Sequence, residues 1–143
     1  MGYVGLVTSA CLAEWGNEVV GIEAGTERLG KLRHGEIPFY EPGLAGLVRT
    51  NAAQGRLRFT DQVADVVQAD AVFIAVGTHD GSGGWQSDTL AACVDQVLPL
   101  MSPGSTLVVR STVPPGFIEE LRAMVRPAGG PGGRRDVAAL LNP

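Results

Sequence analysis

The sequence predicts an α/β fold built on an open, doubly wound and mostly parallel sheet. Three observations predict it. Short β-branched and apolar runs alternate with stretches of helical periodicity along the 143 residues, the order of repeated strand–helix–strand units. Two of the runs, AVFIAV at 71–76 and STLVVR at 105–110, are nearly continuous apolar stretches, as in strands covered on both faces. A helical pattern follows each strand, and right-handed crossovers then make the sheet parallel.

The first element is a helix over residues 3–15, where Val4, Leu6, Val7, Cys11, Leu12 and Trp15 recur at helical spacing. Gly5, Ser9, Ala10 and Ala13 fill its close-contact positions, and Gly16-Asn17 stops it. Residues 18–23 (EVVGIE) read as a short strand, and residues 26–34 as a helix with Thr26 as its N-cap. Residues 37–43 (IPFYEPG) must be a loop, its shape fixed by two prolines. That loop is either a rigid connector or, through Tyr40 and Glu41, a contact for a cofactor or another subunit. Residues 44–53 are helical and 56–60 alternate like a strand. Asp61 is expected to cap a short helix before the 71–76 strand. A glycine-rich loop at 77–84, a helix at 87–101 and the 105–110 strand follow. Residues 111–116 turn the chain into a helix ending near Val125. Residues 127–135 are rich in glycine and proline and read as mobile, and 136–141 form a last strand before Asn142-Pro143. No internal repeat competes with this order.

Composition narrows the function. With 45% apolar and 18% charged residues, the chain is a globular domain with a real core. A net charge of −4 argues against a nucleic-acid-binding surface, which would be basic. No apolar run has the length of a membrane span. Cys11 and Cys93 lie within helical patterns on faces expected to point inward, so reduced thiols in a cytoplasmic protein are expected. No metal site is assigned.

The chemistry starts at Met1-Gly2-Tyr3-Val4-Gly5-Leu6. Gly2 and Gly5 have the spacing of the second and third glycines of a G-x-G-x-x-G loop. The second lets backbone approach a pyrophosphate and the third allows close helix–strand packing. The first glycine and its strand would lie upstream of Met1, so the fold is read as a Rossmann-like sheet with its first strand missing. Two glycines at this spacing are common by chance. Glu23 strengthens the reading: it ends a strand about twenty residues after the loop, where a carboxylate accepts the ribose hydroxyls of NAD and repels the 2′-phosphate of NADP. The plain alternative is a solvated strand-end acid. Arg28 either supports the same nucleotide or is a surface arginine. His34 reads as a surface residue ending a helix.

Gly2-Tyr3-Val4-Gly5-Leu6, Gly35-Glu36-Ile37-Pro38-Phe39-Tyr40-Glu41-Pro42-Gly43-Leu44, Ala75-Val76-Gly77-Thr78 and Ser111-Thr112-Val113-Pro114 occur in this order. Together they resemble the N-terminal NAD-binding domain of the UDP-glucose/GDP-mannose dehydrogenase family over essentially the whole chain. The resemblance implies NAD as cofactor, with Gly2, Tyr3, Val4 and Gly5 beside its diphosphate, Glu23 on the ribose and Arg28 as the nearby base. It implies that Thr78 lies against the cofactor and that Thr112 faces the nicotinamide side and helps order the reacting groups. For each threonine the bland reading is a strand-end hydroxyl capping a turn. For an intact member it implies oxidation of the primary alcohol of a UDP-sugar, UDP-glucose above others, to a carboxylate with two NAD molecules. A cysteine thiolate holds the aldehyde, and the enzyme is a homodimer making polysaccharide precursors.

Three positions depart from the family pattern: Arg110 stands for a lysine, Gly25 for a second acid, and His79 where proline is frequent, so His79 receives no catalytic role. Family members continue after Asn-Pro into a catalytic glutamate, a linker helix, an active-site lysine, asparagine and cysteine, and a sugar-nucleotide domain. Residues 1–143 are therefore expected to be a partial NAD-binding domain, inactive alone, with Thr112 the one candidate for a catalytic positioning role. Cys11 and Cys93 are not expected to be the nucleophile. In the strand order 3-2-1-4-5-6 the first strand is central, so its loss predicts unpaired edges and low stability. Two rival readings are a non-catalytic nucleotide-binding or regulatory module, and a dehydrogenase for GDP-mannose or UDP-N-acetylmannosamine. The YEPG and STVP loops argue against an unrelated α/β enzyme such as a methyltransferase.

Overall fold

A computed structural model describes residues 1–78, 87–113, 116–125 and 138–141. They belong to two compact units, Met1–Val63 and Ala64–Pro143. His79 with the rest of the expected glycine-rich loop, Pro114, the stretch expected to be mobile at 127–135, and Asn142-Pro143 lie outside the described residues.

The first unit runs α1 (Tyr3–Glu14), β1 (Val19–Ile22), α2 (Thr26–Arg33), α3 (Leu44–Ala53), β2 (Leu57–Thr60). β1 and β2 pair in parallel, from Val19 opposite Leu57 to Ile22 opposite Thr60. The buried face of α1 is Gly5, Leu6, Ser9, Ala10 and Ala13. Val4 and Trp15, expected in the apolar stripe, are 41% and 79% exposed. The small residues hold the close-contact positions as expected, with Leu6 of the stripe buried among them; α1 packs on β1, β2 and α3 together, and further bulk would hold it away. Leu29, Leu32, Leu44, Val48, Leu57 and Phe59 complete this core. α1 ends as expected: Gly16 N–H donates to Ala13 C=O and Asn17 N–H to Leu12 C=O, with Gly16 at φ 93°, a turn that an L side chain disfavours.

α2 corrects one expectation. Its N-cap is Gly25 and Thr26 is its first helical residue, because the Gly25 carbonyl accepts the first helical bond, from Leu29 N–H at 2.8 Å. His34 is exposed at the other end, its ring Nδ1 2.8 Å from the Gly30 carbonyl. A second correction follows β2. The turn there is organised by Thr60, whose Oγ1 accepts the Gln62 N–H at 3.0 Å, while the Asp61 carboxylate takes the Gln62 side chain. A buried hydroxyl at the strand end reaches the N–H two residues on, and the following turn, Val63–Gln68, is a 3₁₀ helix.

A polar knot closes the first unit. Asn51, fully buried on α3, donates from Nδ2 to Glu14 Oε2 and to the Leu47 carbonyl, both at 2.9 Å. Arg56 shares its Nε–H between Asn51 Oδ1 at 3.0 Å and the Ala13 carbonyl at 2.9 Å. The end of α1, α3 and the entry to β2 are thereby joined.

The second unit contains β3 (Ala71–Ile74), α4 (Ser87–Val97), β4 (Thr106–Val109), α5 (Phe117–Val125) and β5 (Ala138–Leu141). Its sheet has the order β3-β4-β5, all parallel. The strand expected at 71–76 stops at Ile74, and Phe73 is 41% exposed. α4 and α5 pack on one another and on β3 and β5 respectively, so they share one face of this sheet and leave Phe73 on the other. The helix expected to reach 101 ends at Val97 and continues as a 3₁₀ turn, Leu98–Leu100. Pro99 causes this, lacking an N–H and disfavouring helical backbone at the residue before it. Cys11 and Cys93 are free thiols, half-buried rather than turned fully inward. Among the described residues no helix is long and apolar enough to cross a membrane, and no cluster of potential metal ligands occurs.

Two substitutions test this packing. A Cβ on Gly21 would lie 2.7 Å from Phe59 Cδ1, so Gly21→Ala should destabilise the chain by about 1–3 kcal/mol in denaturant unfolding, with Phe59→Leu relieving part of the loss. Asn51→Ala should cost about 1–3 kcal/mol by removing the fully buried side chain that bonds Glu14, the Leu47 carbonyl and Arg56, read as a lower denaturation midpoint at unchanged m-value.

Candidate functional site

The first turn of α1 presents backbone donors without helical partners. Leu6 N–H is the first to find a helical partner, the Gly2 carbonyl at 3.0 Å, which leaves the N–H groups of Tyr3, Val4 and Gly5 at the positive end of the helix. The N-cap, Gly2, has no side chain to occupy them, and the first turn carries no acid. A Cβ at Gly2 would meet nothing within 4 Å, so the space in front of the turn is open. Gly5, in contrast, is buried within the α1 contact.

Glu23 stands next to this turn. It follows β1 directly, its N–H bonded to the Thr60 carbonyl at 2.9 Å, and only 7% of it is exposed. This rules out the solvated strand-end acid. Its Oε1 accepts the Gly25 N–H at 2.7 Å. Its Oε2 pairs with the Met1 ammonium, one residue before Gly2, and lies 3.8 Å from Arg28 Nη1. Burial pushes this carboxyl up, yet the hydrogen bonds from the Met1 ammonium and Gly25, with the positive charges of Met1 and Arg28, outweigh burial and hold it below the ordinary glutamate value.

The 35–43 loop joins the same corner. Tyr3 donates its phenol to Glu41 Oε2 at 2.8 Å, and its ring packs on Phe39 with centroids 5.1 Å apart. Glu41, as hydrogen-bond acceptor and as nearby negative charge, pushes the Tyr3 phenol up. Sequence reasoning left this loop between connector and contact. The pairing of Tyr3 with Glu41 makes it a contact to the glycine turn, and the one signal for it was a tyrosine in that turn facing an acid between two prolines.

In the second unit, Thr78 follows β3 and is 4% exposed, and Thr112 follows β4 and is exposed. β3 and β4 are parallel neighbours, so both threonines sit at the C-terminal ends of adjacent strands, where ligands of such sheets bind. Ser111 ties those ends together, its buried hydroxyl donating to the Val76 carbonyl at 2.7 Å. Its role as fastener was not anticipated, although it precedes Thr112 in a quoted motif.

A parallel βαβ unit with an open glycine turn at a helix start, and a buried carboxylate at the end of the next strand, defines a dinucleotide-binding domain of the Rossmann type. Comparison with known proteins makes this specific. A sequence profile described as the UDP-glucose/GDP-mannose dehydrogenase family, NAD binding domain, matches residues 1–143. The chain is 42% identical over 127 residues to a UDP-glucose 6-dehydrogenase of Pseudomonas aeruginosa, covering 87% of this chain and 28% of that protein. It is 38% identical over 148 residues to a UDP-glucose 6-dehydrogenase of Rhizobium meliloti, covering 99% and 32%. Among solved structures, a UDP-glucose dehydrogenase of Pyrobaculum islandicum superposes with TM-score 0.76 at 32% identity, over 98% of this chain and 33% of that one. The chain belongs to the UDP-glucose/GDP-mannose dehydrogenase family and is its NAD-binding domain, spanning roughly a third of the length of these relatives.

The Glu23 ion pair gives a pH signature. Because the folded carboxyl titrates below its unfolded value of about 4.5, the stability it adds is fully present above that pH and is lost as pH falls through the folded value. The wild type should melt higher than Glu23→Gln at neutral pH, and the gap should shrink as pH falls below about 4.5. A gap in melting temperature that stays constant as pH falls contradicts the pairing.

Proposed function

We propose that this chain supplies the cofactor site of a UDP-glucose 6-dehydrogenase-like oxidoreductase, which converts the primary alcohol of UDP-glucose to a carboxylate with two NAD molecules. The observation that carries the reading is the buried Glu23 carboxylate, aimed beside the open turn at Gly2. The residues fit NAD. The free N–H groups of Tyr3, Val4 and Gly5 and the α1 dipole favour a diphosphate. Glu23 Oε2 accepts a ribose hydroxyl, and its negative charge disfavours the 2′-phosphate that would make the ligand NADP. Arg28, exposed and at the margin of ion-pair distance, contributes a weak field at the adenosine side.

Thr78 and Thr112 serve the nicotinamide side. Ser111 sets their spacing by fastening β4 to the chain beyond β3. NAD accepts hydride when bound; the chain's own residues bind and orient it. Neither thiol is the nucleophile of such a reaction. Burial pushes the Cys93 thiol up, away from the thiolate form, and Cys11 lies within α1. The UDP-sugar and the catalytic cysteine belong to parts of the enzyme beyond these residues, and the assembled enzyme is a cytoplasmic homodimer. Identity with the UDP-glucose enzymes supports UDP-glucose over GDP-mannose or UDP-N-acetylmannosamine as the sugar nucleotide.

Glu23→Ala should weaken NAD binding at least tenfold by titration calorimetry, the loss of hydrogen bonds to a charged group. Affinity equal to that of the wild type would remove the ribose assignment.

A further inference from the structure

Gly25 has backbone angles open to any residue, φ −77° and ψ 108°, so neither a turn nor a positive φ calls for glycine there. Helix capping does not call for it either. The position N-caps α2 without a side-chain bond, and aspartate is a better N-cap than glycine. Space does call for it. A Cβ at 25 would stand 3.0 Å from Glu23 Oε1 and 3.9 Å from Glu23 Cδ, while that same Oε1 accepts the residue-25 N–H at 2.7 Å. A side chain there would press on the carboxylate, which would have to give by a few tenths of an ångström and so move off the residue-25 N–H.

We propose that Gly25 is a positioning residue for the cofactor ribose: its missing side chain lets the long Glu23 side chain fold back onto the residue-25 N–H, which fixes Oε1 and leaves Oε2 to meet a ribose hydroxyl. The proposal rests on reading Glu23 as the ribose acceptor. It accounts for the absence of a second acid at this position, because an aspartate at 25 would press a like charge against Glu23 as well as filling its space. Glu23 and Gly25 form a length-matched pair: the glutamate carboxylate fills the gap at 25, whereas an aspartate at 23, one methylene shorter, would meet the residue-25 N–H closer to its own backbone and leave that gap to a side chain.

The test uses the full chain and three readouts: NAD affinity by calorimetry, melting temperature, and the Glu23 carboxyl titration by carbon-13 NMR without cofactor. Gly25→Asp should bind NAD about tenfold more weakly with a melting temperature equal to or above that of the wild type, a separation that a purely structural role would not give. Gly25→Ala should weaken binding a few-fold and move the Glu23 titration upward, since the Gly25 hydrogen bond that lowers it is strained. Glu23→Asp combined with Gly25→Asp should recover most of the affinity lost in Gly25→Asp. Wild-type NAD affinity in Gly25→Asp, or a double variant that recovers nothing, overturns the proposal. Should Glu23→Ala bind NAD as well as the wild type, the ribose reading fails and the proposal with it. Weak binding by Glu23→Ala beside full affinity in Gly25→Asp overturns the proposal alone.

Discussion

On the buried face of α1, Gly5, Ser9, Ala10 and Ala13 flank a single large side chain, Leu6, and the rest of the first unit is arranged around the close approach these small residues permit. α1 lies on β1, β2 and α3 together. Its far end is then held by hydrogen bonds: Arg56 reaches the Ala13 carbonyl and Asn51 reaches Glu14. Buried polar groups such as Asn51 are costly when unbonded, so the knot acts on position as much as on stability. With the middle fixed by contact and the end by the knot, the start of α1 is held beside the end of β1. The three free N–H groups therefore stand next to a carboxylate.

That juxtaposition explains how a buried acid is tolerated. A carboxylate out of water needs donors for its oxygens. Glu23 has one backbone donor on Oε1, from Gly25, and on Oε2 the Met1 ammonium with Arg28 at longer range. The bond to Oε1 comes from backbone two residues away and is local to the chain. The partners of Oε2 are a terminus and a flexible, exposed side chain.

Much of this was legible in the sequence for a definite reason. Strand and helix order follows periodicity, and the position of Glu23 at the end of β1, about twenty residues after the glycine turn, follows from βαβ geometry. Three-dimensional neighbours were not legible. Nothing local marks Asn51 as a buried hub, since its partners Glu14 and Arg56 lie on other elements. On α1 the small close-contact residues and Leu6 are legible in the sequence, whereas the apolar stripe also takes in Val4 and Trp15, which no neighbouring element covers. Thr26 was read as the cap of α2 from residue preference, but the first helical carbonyl belongs to Gly25. Pro99 was visible and its consequence underestimated: it converts the end of α4 to a 3₁₀ turn. Phe73 shows the limit of an apolar run, which reports hydrophobicity on two faces without reporting which helices cover them.

The Tyr3–Glu41 bond is exposed, and such a bond adds at most about 1 kcal/mol to stability. Its effect is better measured in geometry than in energy. Tyr3 is the first residue of α1, and its N–H is one of the three free donors of the turn. Anchoring its ring on Phe39 and its phenol on Glu41 restricts that residue's backbone as well as its side chain. The prolines at 38 and 42 stiffen the segment that supplies both anchors. A loop without regular structure thus sets the precision of a helix start.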